Sequence, residues 1–300
     1  MKDICWSVIG VLFILLLPSA CYGKNQSNQK KEEKIMTQQN NTYWSMEYAQ
    51  KMLNESAHIS YGIMDTEKFN QIVVQKNKGD PNALYVYGFL LYGYYNIYTK
   101  VQLSRPEAQN QGFDILWSLS EKDHPHACDF IAKIGNKFLI EEKKIEPQLL
   151  LKKQLHCFEV SLNSGLKPYQ DYADTLLFGL NRDEVRNILL EEYPEIKNNQ
   201  SLKKAINLYS RCANETGKSY CLGRMVEAHY YGLGAEKNKI QAYAWAKITA
   251  ERTVKTRSVY KTLQFAATLD EQMQKQTTSS ERAEVENIYQ NLLKKLPHNI

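Results

Sequence analysis

One turn pattern occurs twice in this 300-residue chain, and it constrains the fold more than any other feature. Asn77-Lys78-Gly79-Asp80-Pro81-Asn82-Ala83 closes one helical pattern and opens the next. Lys122-Asp123-His124-Pro125-His126-Ala127 does the same about forty residues on. Both place a Pro in the first turn of the coming helix, where its missing N–H has no partner to lose. Recurrence at roughly 20–50 residues marks a chain built of stacked units, each hiding its apolar face on the next.

Apolar residues follow a helical period around these turns. Ala83, Tyr87, Leu90, Leu91 and Tyr94 share one face, and Phe113, Leu116, Trp117 and Ser120 another. The pattern predicts helices near 44–57, 66–78, 81–97, 105–122, 125–141, 147–164, 168–180, 182–192, 201–214, 218–231, 238–251, 255–275 and 279–295. Gly and Pro number 14 and 8, too few breakers for a many-turned β architecture. The expected fold class is all-α.

The first 23 residues read as a targeting segment. Lys2 precedes an apolar run from Ile4 to Leu17, then Pro18-Ser19-Ala20-Cys21-Tyr22-Gly23. This is the order of a secretory signal, and the run falls short of the ~20 apolar residues a bilayer requires. Cleavage after Gly23 puts Cys21 and Gly23 at the small-residue positions. Ser19-Ala20-Cys21 also fits a bacterial lipoprotein signal, although Pro18 stands where Leu is usual, so lipidation of Cys21 is the rival route. Residues 24–42 are Asn, Gln, Lys and Glu and read as a flexible polar linker to a helical body over 43–300. The expected location is the periplasm, on the outer membrane if Cys21 is acylated, or outside the cell.

The net charge of +5 is spread along the chain without a dense basic stripe, so no nucleic-acid partner is expected.

Two stretches carry a family resemblance. The first joins Ala83-Leu84-Tyr85-Val86-Tyr87-Gly88 to Gly112-Phe113-Asp114-Ile115-Leu116-Trp117. The second is Tyr231-Gly232-Leu233-Gly234 followed by Gln241-Ala242-Tyr243-Ala244-Trp245-Ala246-Lys247-Ile248-Thr249-Ala250. Both resemble Sel-1-like repeats, relatives of the tetratricopeptide class. The resemblance covers about residues 66–252, with capping helices after it. It implies an α/α solenoid with a right-handed superhelix, and glycines 232 and 234 at the turn between paired helices. Leu222-Gly223 lies about one turn too far from Gly232 for the usual spacing, which leaves two registers open for the last repeat.

Six cysteines occur, and either processing route leaves Cys128, Cys157, Cys212 and Cys221, an even number in an exported chain. The turn Asn214-Glu215-Thr216-Gly217 reverses the chain between Cys212 and Cys221. Cys128 and Cys157 stand at similar distances from a turn near Lys143-Lys144. Disulfides 128–157 and 212–221 are therefore expected. Cysteine-rich exported members of the resembled family place a disulfide at a similar helix-to-helix turn. A zinc site lacks the CxxC or paired-His spacing it needs.

Chemistry is hard to find. No Gly-x-Ser-x-Gly elbow is present. Gly217-Lys218-Ser219 lacks the earlier Gly of a phosphate loop. Ser201-Leu202-Lys203-Lys204 and Ser258-Val259-Tyr260-Lys261 match Ser-x-x-Lys, a pattern expected by chance here, and Ser201 suits a helix N-cap. His124 and His126 read as a solvated turn, and His229 as a packed histidine. Tyr92, Tyr94, Tyr95 and Tyr98 crowd one helix end, and Tyr230 and Tyr231 another. Tyr94, Tyr95, Tyr98, Tyr230 and Tyr231 are the candidate partner-binding residues, since Tyr is enriched at protein interfaces.

The expected function is a non-enzymatic, protein-binding scaffold with no cofactor, no metal and no small-molecule substrate. The resemblance implies, among exported members, immunity proteins that neutralise type VI secretion toxins such as phospholipases. The alternatives are a cell-wall or β-lactam-acting enzyme, or an envelope assembly adaptor.

Overall fold

The computed structural model describes residues 43–57, 66–93, 101–253 and 260–297. The chain divides into a unit ending at Tyr43 and a unit from Trp44 to Ile300. The expected signal segment, Cys21 and the polar linker lie outside the described residues.

Among the described residues there are thirteen α-helices and no strand. They are α1 (Met46–Ala57), α2 (Thr66–Asn77), α3 (Pro81–Tyr92), α4 (Arg105–Glu121), α5 (Pro125–Lys133), α6 (Pro147–Asn163), α7 (Tyr169–Phe178), α8 (Arg182–Val185), α9 (Leu202–Thr216), α10 (Ser219–Tyr231), α11 (Lys239–Thr253), α12 (Lys261–Gln276) and α13 (Ser279–Leu293). Packing is almost entirely between near neighbours in sequence: α3 on α4, α5 on α6, α7 on α9, α10 on α11, α11 on α12 and α13. That is the contact pattern of an all-α solenoid.

Two expected helices are shorter than their periodicity. The helix over 125–141 stops at Lys133, and a π-helical turn, Phe138–Glu142, follows after Gly135. The helix over 182–192 is helical only to Val185, then continues as separate 3₁₀ turns. Here tertiary anchoring overrides the apolar period: the Leu190 amide donates to buried Glu227 (2.8 Å) instead of to its own helix.

The recurring Asp–Pro and His–Pro turns are both helix caps, and they are stacked on one another. Asp80 caps α3, accepting from the amides of Asn82 (2.8 Å) and Ala83 (3.1 Å), and it also accepts from the Trp44 amide. His124 caps α5, its Nδ1 accepting from the Ala127 amide at 3.2 Å. Because Nδ1 accepts, the proton sits on Nε2, which donates to Asn82 Oδ1 at 3.0 Å. Asn82 Nδ2 in turn donates to the Trp44 carbonyl at 2.6 Å. Trp44, the α3 turn and the α5 turn thus form one hydrogen-bonded column joining successive units.

His124 is therefore no solvated turn residue. It is buried and stacks on the Tyr85 ring with centroids 5.3 Å apart. Burial, helped by nearby His126, holds its pKa down to about 4 against the pull of Asp80 and a backbone hydrogen bond. Protonation would also set an N–H against the Ala127 N–H and undo the cap. The folded value lies below the unfolded one of about 6.5, so the neutral ring's contribution is fully present above that pH and is lost as pH falls toward 4. That window corresponds to about 3 kcal/mol. Urea unfolding of wild type and His124→Asn from pH 7 to 4 should show a steeper loss for wild type. Parallel curves would contradict this.

Glycine sets the closest helix–helix approach. A Cβ on Gly112 of α4 would lie 2.4 Å from the Tyr92 amide nitrogen and 2.6 Å from the Gly88 carbonyl oxygen, and one on Gly88 would lie 2.8 Å from Ile115. In the last repeat, Gly232 (φ 74°) ends α10 and Gly234 (φ 68°) follows it, the left-handed backbone that the resemblance implies there.

Cys212 and Cys221 form a disulfide across the turn at Gly217, pinning α9 to α10. The other expected bond differs. Cys128 on α5 and Cys157 on α6 meet, but as two buried free thiols with Sγ atoms 3.1 Å apart. The two helices do face each other as the hairpin spacing predicts, yet the sulfurs stop at hydrogen-bond distance.

Candidate protein-binding surface

A shallow groove of about 660 Å³ lies between α4 and the start of α6. Phe113, Trp117, Ile145 and Leu149 form its apolar lining, and Asp114, Lys143, Lys144 and Glu146 its polar one. Each is placed by local rules. Glu146 caps α6 by accepting from the Leu149 amide at 2.8 Å, and Pro147 takes the first turn. This fixes Leu149 with its side chain outward, 57% exposed. Lys144 takes a positive φ of 56° to bring the chain into that helix.

Trp117 is held from beside it: its Nε1 donates to Glu121 Oε1 at 3.0 Å. Lys143 sits 4.5 Å over the Phe113 ring, donates to Asn110 Oδ1 (2.9 Å) and lies 3.5 Å from Asp114. Lys153 lies 5.9 Å from the Trp117 centroid and donates to the Ser120 carbonyl at 2.9 Å. An open patch of half-buried Trp117 and exposed Leu149 over a floor of buried Phe113, with lysines around it, has the make-up of an interface centre with its rim.

The sequence expectation pointed elsewhere. Tyr94, Tyr95 and Tyr98 lie outside the described residues. Tyr230 and Tyr231 are half-buried and spend their faces on α12: Phe265 lies 5.3 Å from Tyr230 and stacks on Tyr231 at 5.5 Å. They pack between helices, where a ring removes apolar area most effectively. In the sequence Trp117 shares a helical face with Phe113 and Leu116, and Lys143-Lys144 marks a turn.

A second gathering of ionisable groups is sealed. Asp174 of α7, Arg224 and Glu227 of α10 are fully buried. Asp174 accepts from Arg186 Nε (2.8 Å), from Tyr220 OH (3.0 Å) and from Tyr209 OH. Arg224 donates to Glu227 (2.9 Å), to Tyr220 OH (2.9 Å) and to the carbonyls of Ile188 (3.0 Å) and Arg186 (3.3 Å). Burial pushes the Asp174 carboxyl and the Tyr209 phenol upward, while Glu227 and the neighbouring phenols hold the Arg224 guanidinium charged against its own desolvation. Every guanidinium nitrogen of Arg224 is engaged, and Asp174, Arg224 and Glu227 have no exposure while Arg186 reaches partly to solvent, so this cluster ties α7, α9 and α10 together.

The Ser-x-x-Lys matches do not assemble a nucleophile. Ser201 stands at the N-cap of α9 with its amide donating to Asn199, and Lys204 gives its ammonium to Glu159 at 2.6 Å. Ser258 lies outside the described residues, and Lys261 pairs with Glu192 at 3.2 Å. His229 Nδ1 lies 3.3 Å from the Glu236 carbonyl, a turn contact. Among the described residues no group of three His, Cys, Asp or Glu side chains could hold a metal ion, and no helix is long and apolar enough to cross a membrane.

No protein-family model matches the sequence, and no curated protein does. Among solved structures the chain is similar to the crystal structure of c5321, a protective antigen present in uropathogenic Escherichia coli strains displaying an SLR fold. The alignment has a TM-score of 0.51 at 16% identity and covers 84% of this chain. The fold is that of a Sel-1-like repeat protein. The chain spans about half the length of that structure, 46%. At this identity the likeness speaks to the Sel-1-like architecture alone; the groove is read from the residues of this chain.

Proposed function

We propose that the chain is a non-enzymatic, protein-binding scaffold of the bacterial envelope, and within that class an immunity protein that neutralises a type VI secretion toxin such as a phospholipase. The observation that carries the binding role is the open groove at Trp117 and Leu149. A solenoid holds such a surface rigid at little entropic cost, because its helices are ordered before the partner arrives. The lysines around the groove favour a partner segment that brings a carboxylate beside an apolar side chain. Support for the envelope is the signal-like segment at residues 1–23. Support for immunity is the family resemblance joined to that segment, an argument by analogy.

The test is genetic and biochemical together. Cells that carry the chain and the toxin encoded beside it should survive, and deletion of the chain should sensitise them, with the two proteins co-purifying. A clean deletion that leaves toxin sensitivity unchanged would count against immunity.

A further inference from the structure

We propose that Cys128 and Cys157 are an oxidisable pair that closes into a second cross-link, between α5 and α6, when the chain meets a disulfide oxidant. The geometry is already assembled. Both side chains are fully buried, and their sulfurs lie 3.1 Å apart. Closure needs a shift of only about 1 Å, since a disulfide bond is about 2.05 Å long. The Cys157 thiol donates to Cys128, and Cys128 donates onward to the Ser120 carbonyl at 3.6 Å. That carbonyl also accepts from Lys153, whose ammonium stands beside the pair.

The same surroundings decide which sulfur ionises first. Once Cys157 gives up its proton, Cys128 can turn and donate to the thiolate; that hydrogen bond and the Lys153 charge hold the Cys157 thiol below its ordinary range, against burial and Asp123. Cys128 is pushed up by that shared proton and by burial. With oxidised glutathione as oxidant, Cys157 thiolate attacks one glutathione sulfur, forming a mixed disulfide and releasing one glutathione thiolate. Cys128 then loses its proton and attacks Cys157 Sγ, expelling the second thiolate. Two electrons pass from the protein thiols to the glutathione disulfide, and the two protons go to the released thiolates. Burial shields the pair in the folded chain, so the exchange proceeds in a local opening that admits the oxidant to Cys157 while Lys153, one turn before it on α6, stays beside it.

The cross-link would enclose a loop spanning 29 positions, against 9 for Cys212–Cys221, and so restrict the unfolded chain more. The full chain, unfolded and refolded in oxidised or in reduced glutathione, tests this by non-reducing peptide mass mapping and thermal melting. The expected result in the oxidised sample is one linked peptide pair carrying Cys128 and Cys157, lighter by two hydrogens. A rise in Tm of about 5–10 °C should accompany it and vanish in Cys157→Ser. Both residues remaining alkylatable after oxidative refolding, while Cys212–Cys221 is linked, would overturn the proposal. So would glutathione retained on Cys157 or a link from either residue to Cys212 or Cys221. None of these outcomes depends on whether the groove binds a partner.

Discussion

Arg224→Met is expected to destabilise the fold by about 3–5 kcal/mol, the range for removing one partner of a buried ion pair. Two losses set that size. Glu227 would lose its ion partner with no exposure to water, retaining only the Leu190 amide as a donor. The carbonyls of Ile188 and Arg186 would lose the donors that hold the 3₁₀ segment against α10. Replacing both charges, as Arg224→Met with Glu227→Leu, should restore part of the loss, because the isolated buried carboxylate is the costliest product of the single change. Urea unfolding of the single and double variants reads both effects. A loss under 1 kcal/mol for Arg224→Met would show that water reaches the cluster.

Gly112→Ala carries the second large effect. The added methyl would meet three atoms of α3: the Tyr92 amide nitrogen at 2.4 Å, the Gly88 carbonyl oxygen at 2.6 Å and Leu91 Cβ at 2.9 Å. Two of these are backbone, so no rotamer change relieves the clash and α3 must move away from α4. Ala is the better helix former by about 1 kcal/mol, which offsets part of the strain. Overpacking of this kind typically costs about 1–3 kcal/mol, and backbone collisions stand at its upper end. The expected net loss is about 2 kcal/mol, read as a lower midpoint in urea with the slope unchanged. A neutral or stabilised variant would contradict so close an approach of α3 and α4.

The helices were legible because their causes are local. Ala83, Leu90 and Leu91 repeat on one face, Pro81 and Pro125 mark first turns, and Gly232 ends a helix in the left-handed region. The Asp80 and His124 turns were visible as repeats, but their stacking through Asn82 was not, because a bond across 42 positions leaves no trace in local pattern. The sealed cluster was missed for the same reason: Asp174, Arg186, Arg224 and Glu227 are ordinary helix-surface residues by composition, and only the fold turns them inward. The groove escaped notice because Trp117 fits an apolar stripe, and periodicity cannot say that this member of the stripe stays half in solvent.

The central claim is that the groove of α4 and α6 binds a protein partner. Calorimetric titration of the protein that co-purifies with the chain tests it, with wild type and with Leu149→Asp/Lys144→Glu. Both substituted residues are exposed, so the melting temperature should not move. A one-to-one complex is expected for wild type, weakened about 100-fold in the double variant, as when interface-centre contacts are lost. Equal affinity of the two proteins for that partner would contradict it.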